Sequence, residues 1–254
     1  MRGLFDKGRP VLVGYLPAGF PSVAGAIEAA TAMVEAGVEA VEIGLPYSDP
    51  TVDGPVIQQA VHQALTGGVR IADVLATVEA VAATGAPTLV MTYWNPVDRY
   101  GVDAFARDLA AAGGAGLITP DLIPEEAGDW LAASDAHGLD RVFLVAPSST
   151  DARLKLTTDA CRGFVYATSV MGVTGARAAT SARAPELVAR VRAVTALPVG
   201  VGLGVSDGDQ AAEVAGYADA VIVGSAFVRR LLDGEGAAGV AALAAELADG
   251  IRRA

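Results

Sequence analysis

Eight short apolar runs, each followed by a segment of helical periodicity, recur along the chain at roughly 30-residue intervals. This recurrence constrains the fold more than any other feature. The runs at 11–18, 38–45, 88–93, 116–119, 141–146, 164–168, 197–201 and 220–223 read as strands. They are apolar throughout rather than alternating, the pattern of parallel strands covered on both faces. Between them the spacing predicts helices at 23–36, 55–65, 71–83 and 102–112. Further helices are expected from Pro124 to near Gly138, up to about Ala160, over 185–194, from Ser206, and after Ser225. Ser22 is a candidate helix N-cap, and Gly37 a stop. Trp94-Asn95-Pro96 and the long Ser169–Arg183 stretch read as loops. In 254 residues, eight such units favour a closed (β/α)8 barrel, the TIM-barrel class of α/β fold, with 1–254 as a single domain. An open doubly wound sheet would want a glycine fingerprint in its first turn; Leu16-Pro17-Ala18-Gly19 is not one.

The stretch from Val38 to Gln58 interrupts the apolar pattern. Glu42 lies inside the second strand, between Val41 and Ile43. Successive side chains of a strand point to opposite faces, so with Val41 and Ile43 against helices, Glu42 faces the other way with Ala40 and Gly44. A charge there is costly unless it is paired or used. The bland alternative is a hydrogen-bonded structural acid. Asp49 and Asp53 lie in the proline-rich loop that follows, on the strand C-terminal side where barrel active sites form. Glu42 on a rigid strand and Asp53 on a loop suit general acid and base work on one substrate, and burial would lift the glutamate towards neutrality.

Glycines mark a second feature. Gly202-Leu203-Gly204 follows strand seven, and Gly224-Ser225 follows strand eight and opens a helix. Glycine lets backbone N–H groups approach an anion, and a helix N-terminus adds the positive end of its dipole. Each pair alone is an ordinary turn signal; together, after strands seven and eight, they point to a phosphorylated ligand.

Composition removes alternatives. Lys plus Arg number 18 and Asp plus Glu 29, giving a net charge of −11, and no basic stripe offers itself to nucleic acid or an anionic membrane surface. Cys161 is the only cysteine, so neither an intrachain disulfide nor a thiolate metal cluster is expected, and His62 and His137 read as surface or structural groups. No metal site is expected. Lys7 and Lys155, the only lysines, are away from the strand ends, which leaves Schiff-base chemistry without its residue. No apolar stretch is long enough for a membrane span, and MRGLFDKGRP lacks the apolar core of a signal peptide, so a soluble cytoplasmic protein is expected. Any plug for the barrel bottom must fit into about ten residues before strand one.

V-E-I-G-L-P-Y-S-D-P-x-x-D-G-P-x-I-Q, beginning at Val41, closely resembles the signature of the tryptophan synthase alpha chain family. So do Tyr93-x-Asn95-Pro96, Gly172-Val173-Thr174-Gly175, Gly202-Leu203-Gly204-Val205-Ser206 and Gly224-Ser225-Ala226. The resemblance runs in register from about residue 10 to residue 230. It implies retro-aldol cleavage of indole-3-glycerol phosphate to indole and glyceraldehyde 3-phosphate. Glu42 would be the acid/base at the indole C3 carbon, and Asp53 would hydrogen-bond the indole N–H. Tyr166 would pack near Glu42; Tyr15, Met91 and Leu203 would wall the indole; Gly175, Gly204, Gly224 and Ser225 would hold the phosphate. Thr174 would meet Asp53 when its loop closes. The resemblance also implies no cofactor in this chain, and a beta-chain partner carrying pyridoxal phosphate in an alpha2beta2 heterotetramer, contacted through the loops of Asp49 and Pro96. Two rivals stay open at this point. A phosphate-sugar epimerase or isomerase on the same fold would usually want a metal or a lysine. A non-catalytic homologue would be expected to lose Glu42 or Asp53, and both are present.

Overall fold

Eight strands do close on themselves. In the computed structural model, which describes residues 1, 3–168, 183–202 and 204–254, the strands are β1 Val11–Pro17, β2 Ala40–Gly44, β3 Thr88–Met91, β4 Gly116–Thr119, β5 Asp140–Val145, β6 Val165–Thr168, β7 Val199–Gly202 and β8 Ala220–Val223. They pair in sequence order, all parallel, and β8 returns to β1. The helices outside are α1 Val23–Glu35, α2 Pro55–Thr66, α3 Ile71–Ala82, α4 Trp94–Tyr100, α5 Val102–Ala111, α6 Gly128–Ala136, α7 Asp151–Ala160, α8 Ala184–Arg192, α9 Gly208–Ala215, α10 Ser225–Leu232 and α11 Gly236–Arg252. The chain has the (β/α)8 architecture.

The pleat sorts the apolar residues into two cores. Leu12, Leu16, Val41, Ile43, Val90, Leu117, Phe143, Val201 and Val221 face outward and pack under the helices. Their neighbours Val11, Val13, Ala40, Leu89, Ile118, Val142, Phe164, Ala220 and Ile222 face inward and fill the barrel. This is why the strands show no polar alternation: both faces are dry. At the N-terminal end of the strands a single 3-10 turn, Phe5–Lys7, forms the floor. Leu4 is buried there in the inner core, and the Phe5 ring lies 6.1 Å from that of Phe164. The plug does fit into the ten residues before β1.

Local signals explain most boundaries. The Ser22 hydroxyl accepts from Gly25 N at 3.0 Å and starts α1. Gly37 takes φ +117° just after it, a conformation that disfavours any side chain. Three expectations need correction. Trp94-Asn95-Pro96 is not a loop but the first turn of α4; a proline is tolerated there because the first turn's N–H groups have no partner within the helix. Pro124 opens only a 3-10 turn, Pro124–Glu126, and α6 begins at Gly128. The helix after β7 starts at Gly208, not Ser206, because Asp207 caps it by accepting from Gln210 N at 2.9 Å. The Ser169–Arg183 stretch lies outside the described residues up to position 182.

Phe164 is wholly buried and bridges the floor to the upper layer, its ring 6.4 Å from that of Tyr166. Phe164→Ala should cost about 3–5 kcal/mol in urea unfolding, because the closed interior cannot collapse around the void.

Candidate active site

Above the inner core, at the C-terminal ends of the strands, the inward positions change character. β1 contributes Tyr15, β2 Glu42, β3 Met91 and β6 Tyr166. Parallel register sets Tyr15 beside Glu42 and Met91 beside Gly44. Two inward glycines make the room. A Cβ on Gly44 would fall 2.3 Å from the Tyr15 hydroxyl, and one on Gly202 would fall 2.4 Å from the Tyr166 hydroxyl. Each phenol therefore leans across the next strand, over a position where any side chain would collide with it.

Glu42 is 1 % exposed, and among the described residues its Oε1 has no hydrogen-bond partner. Burial alone pushes its carboxyl up to about 8. Its proton therefore comes and goes near neutrality, as an acid/base group requires. The charges of Asp53 and Glu42 both act on the Tyr15 phenol, and that of Glu42 on the Tyr166 phenol; burial chiefly, with these charges, holds both phenols well above their ordinary range. The structure thus brings Glu42, Asp53, Tyr15 and Tyr166 together at one end of the barrel.

Asp53 is fixed by a residue that the sequence reading left outside its site. The Tyr93 hydroxyl accepts from Thr51 N at 3.1 Å and Val52 N at 3.0 Å, and donates to Asp53 Oδ1 at 3.1 Å. Burial raises the Asp53 carboxyl, and the bond from Tyr93 works against that rise. Burial first, with the charge of and the hydrogen bond to Asp53, pushes the Tyr93 phenol up to about 12, against the pull of the two N–H groups. Tyr93 lies just past β3, as the N-cap residue of α4. The carboxylate of Asp121, after β4, accepts from Trp94 N through both oxygens, at 2.9 and 3.2 Å. Only the placement of both residues at strand ends hinted at these roles.

The remaining candidates among the described residues, Gly204, Gly224, Ser225, Asp49 and Pro96, follow strands on the same end of the barrel. Gly204 takes φ +70°, open to glycine without strain. Gly224 precedes α10, and Ser225 is its buried first residue. A Cβ on Gly224 would lie 3.3 Å from the Tyr15 ring. Asp49 is exposed and accepts from the Ser48 hydroxyl at 2.5 Å, while Pro96 is half-buried in α4. Thr174, Gly175 and Leu203 lie outside the described residues. Among the described residues no group of three or more His, Cys, Asp or Glu side chains comes together as a metal site, and no helix is long and apolar enough to cross a membrane. His62 is exposed, and His137 lies 3.0 Å from Asp103. A cleft at the opposite, N-terminal end of the barrel is bordered by Arg9 and Arg192, whose guanidiniums are taken up by Glu39 and Asp219.

A closed parallel barrel with a buried glutamate and a half-buried aspartate at the C-terminal ends of its strands defines the class: this is an enzyme of the (β/α)8 fold. A family model for the tryptophan synthase alpha chain matches residues 1–251. The tryptophan synthase alpha chain of Salinispora tropica is 68 % identical over 250 residues, 97 % of this chain and 94 % of that one. That of Mycobacterium avium is 64 % identical over 248 residues, 98 % of this chain and 91 % of its own. Among solved structures, tryptophan synthase of Mycobacterium tuberculosis superposes with a TM-score of 0.94 at 60 % identity, covering 99 % of this chain and 97 % of that one. A mutant tryptophan synthase alpha-subunit from Pyrococcus furiosus still gives 0.86 at 31 % identity, covering 94 % and 98 %. The chain belongs to the tryptophan synthase alpha chain family. It is a carbon–carbon lyase of tryptophan biosynthesis, and the reaction of its family is retro-aldol cleavage of indole-3-glycerol phosphate to indole and glyceraldehyde 3-phosphate.

The raised carboxyl of Glu42 has a consequence for stability. Between its unfolded value of 4.5 and its folded value of about 8, the folded state holds a proton that the unfolded state has lost. The contribution is therefore full below 4.5 and falls as pH rises, at ~1.4 kcal/mol per pH unit in that window. Urea unfolding from pH 5 to 9 should show this decline, and Glu42→Gln should flatten it. An unchanged slope in the variant would mean that the glutamate is not held protonated.

Proposed function

We propose that Glu42 and Asp53 divide the retro-aldol chemistry between them. Glu42, protonated in its dry pocket, delivers its proton to C3 of the indole ring. The ring nitrogen gains positive charge, and Asp53 accepts a hydrogen bond from the indole N–H to stabilise it. The Glu42 carboxylate then takes the proton of the carbinol hydroxyl on the glycerol carbon bonded to C3. The C3–carbon bond breaks, its electrons return to the ring, and an aldehyde forms. The proton given is the proton recovered, and indole and glyceraldehyde 3-phosphate leave. The observation that carries this reading is the buried carboxyl of Glu42, its Oε1 without a partner among the described residues, poised near neutrality on a strand.

The rest of the rim supplies binding. Tyr15, Met91 and Leu203 wall the indole, with Tyr166 beside Glu42. Gly175, Gly204, Gly224 and Ser225 hold the phosphate through backbone N–H groups and the start of α10. Thr174 meets Asp53 as its loop closes and excludes water. The acid–base steps use this chain's own side chains and no cofactor; pyridoxal phosphate belongs to a beta-chain partner. The chain, one barrel domain over 1–254, works in the cytoplasm and joins that partner in an alpha2beta2 heterotetramer through Asp49 and Pro96.

Glu42→Gln should abolish indole release from indole-3-glycerol phosphate without lowering the unfolding midpoint at pH 8; retained turnover removes Glu42 from the acid/base role. Gly204→Val should raise KM at least tenfold, beyond the ~1–2 kcal/mol of backbone strain it adds to folding, and an unmoved KM would end the phosphate assignment. Co-purification with a beta chain should weaken on Pro96→Asp.

A further inference from the structure

Resting on the acid–base reading of Glu42, we infer that Tyr15 is a positioning residue for that step, its hydroxyl supplying the hydrogen bond the Glu42 carboxylate needs while it has no proton. In the first half of the reaction Glu42 gives its proton away inside a dry pocket. A carboxylate formed there without a donor is costly. Among the described residues Oε1 has no partner in the resting state, and the described residues place no cation beside it. The polar groups that its charge acts on are the phenols of Tyr15 and Tyr166.

Tyr15 is the better placed of the two. Its Cα is in register with that of Glu42, and its ring lies between Gly224 on one side and Gly44 on the other. The hydroxyl ends over Gly44, on the strand and face of Glu42 itself, about 6.6 Å further along β2 by the strand rise. Tyr166 leans instead over Gly202 of β7. The titratable groups acting on Tyr15 are Asp53 from the loop after β2, Glu42 from β2, Tyr93 from the end of β3 and Tyr166 from β6. Its hydroxyl is thus the one phenol felt by both carboxylates. A wall residue for an indole needs an aromatic ring, but it does not need a hydroxyl fitted against a glycine on the acid's own strand.

The test is Tyr15→Phe, which keeps the ring and removes the donor. The carboxylate form of Glu42 should lose support, so the pH limb of kcat that it sets moves up by about one unit and kcat falls about tenfold, while KM stays within about twofold. The Glu42 carboxyl resonance in 13C-glutamate-labelled enzyme, assigned by its disappearance in Glu42→Gln, should titrate about one unit higher in Tyr15→Phe without substrate. An unmoved resonance and limb would overturn the proposal and leave Tyr15 as wall only. If Tyr15→Phe fails to fold, 3-fluorotyrosine at position 15, a stronger donor, should move both down, and no movement overturns the proposal equally. Turnover surviving in Glu42→Gln would instead sink the acid–base reading, a result that the resonance shift does not depend on.

Discussion

The interior of this barrel is filled by one buried side chain per inward position, and that scarcity of space governs what happens at its mouth. Below the rim the inward positions are filled with Val, Leu, Ile, Ala and Phe, down to Leu4 and Phe5 at the floor. Glu42 occupies the next inward position above Ala40 on β2, so its carboxyl is surrounded by the same apolar wall that closes the core. No neighbouring charge is needed to lift it towards neutrality; the packing that stabilises the fold does so. The packing that holds the fold together also holds this carboxyl protonated, and ionising it weakens the fold.

Much of this was legible in the chain. Apolar runs with helices between them announced a parallel sheet, and their number announced its closure. The alternation Ala40, Glu42, Gly44 against Val41 and Ile43 by itself places the acid on the inner face. Ser22, Gly37 and the Gly224-Ser225 turn acted as local rules predict. Two misreadings share a cause. Trp94-Asn95-Pro96 reads as a loop and Pro124 as a helix start, yet a proline near a helix start fits either an α turn or a 3-10 turn, and tertiary packing decides which.

What the sequence hid were the bonds between segments. Tyr93 holds Asp53 across 40 positions, and Asp121 holds Trp94 across 27. No periodicity encodes such pairs, because they depend on which strand ends become neighbours around the rim. Gly44 and Gly202 were hidden in the same way: a strand glycine reads as a weak point until the phenol leaning over it is known.

Tyr93 joins two pieces of backbone that would otherwise be independent. Its main chain is the entry to α4, while its hydroxyl grips Thr51 N, Val52 N and the Asp53 carboxylate. Loop and helix are therefore tied at one side chain, and a substitution that shifts the start of α4 also shifts the hydroxyl that holds Asp53.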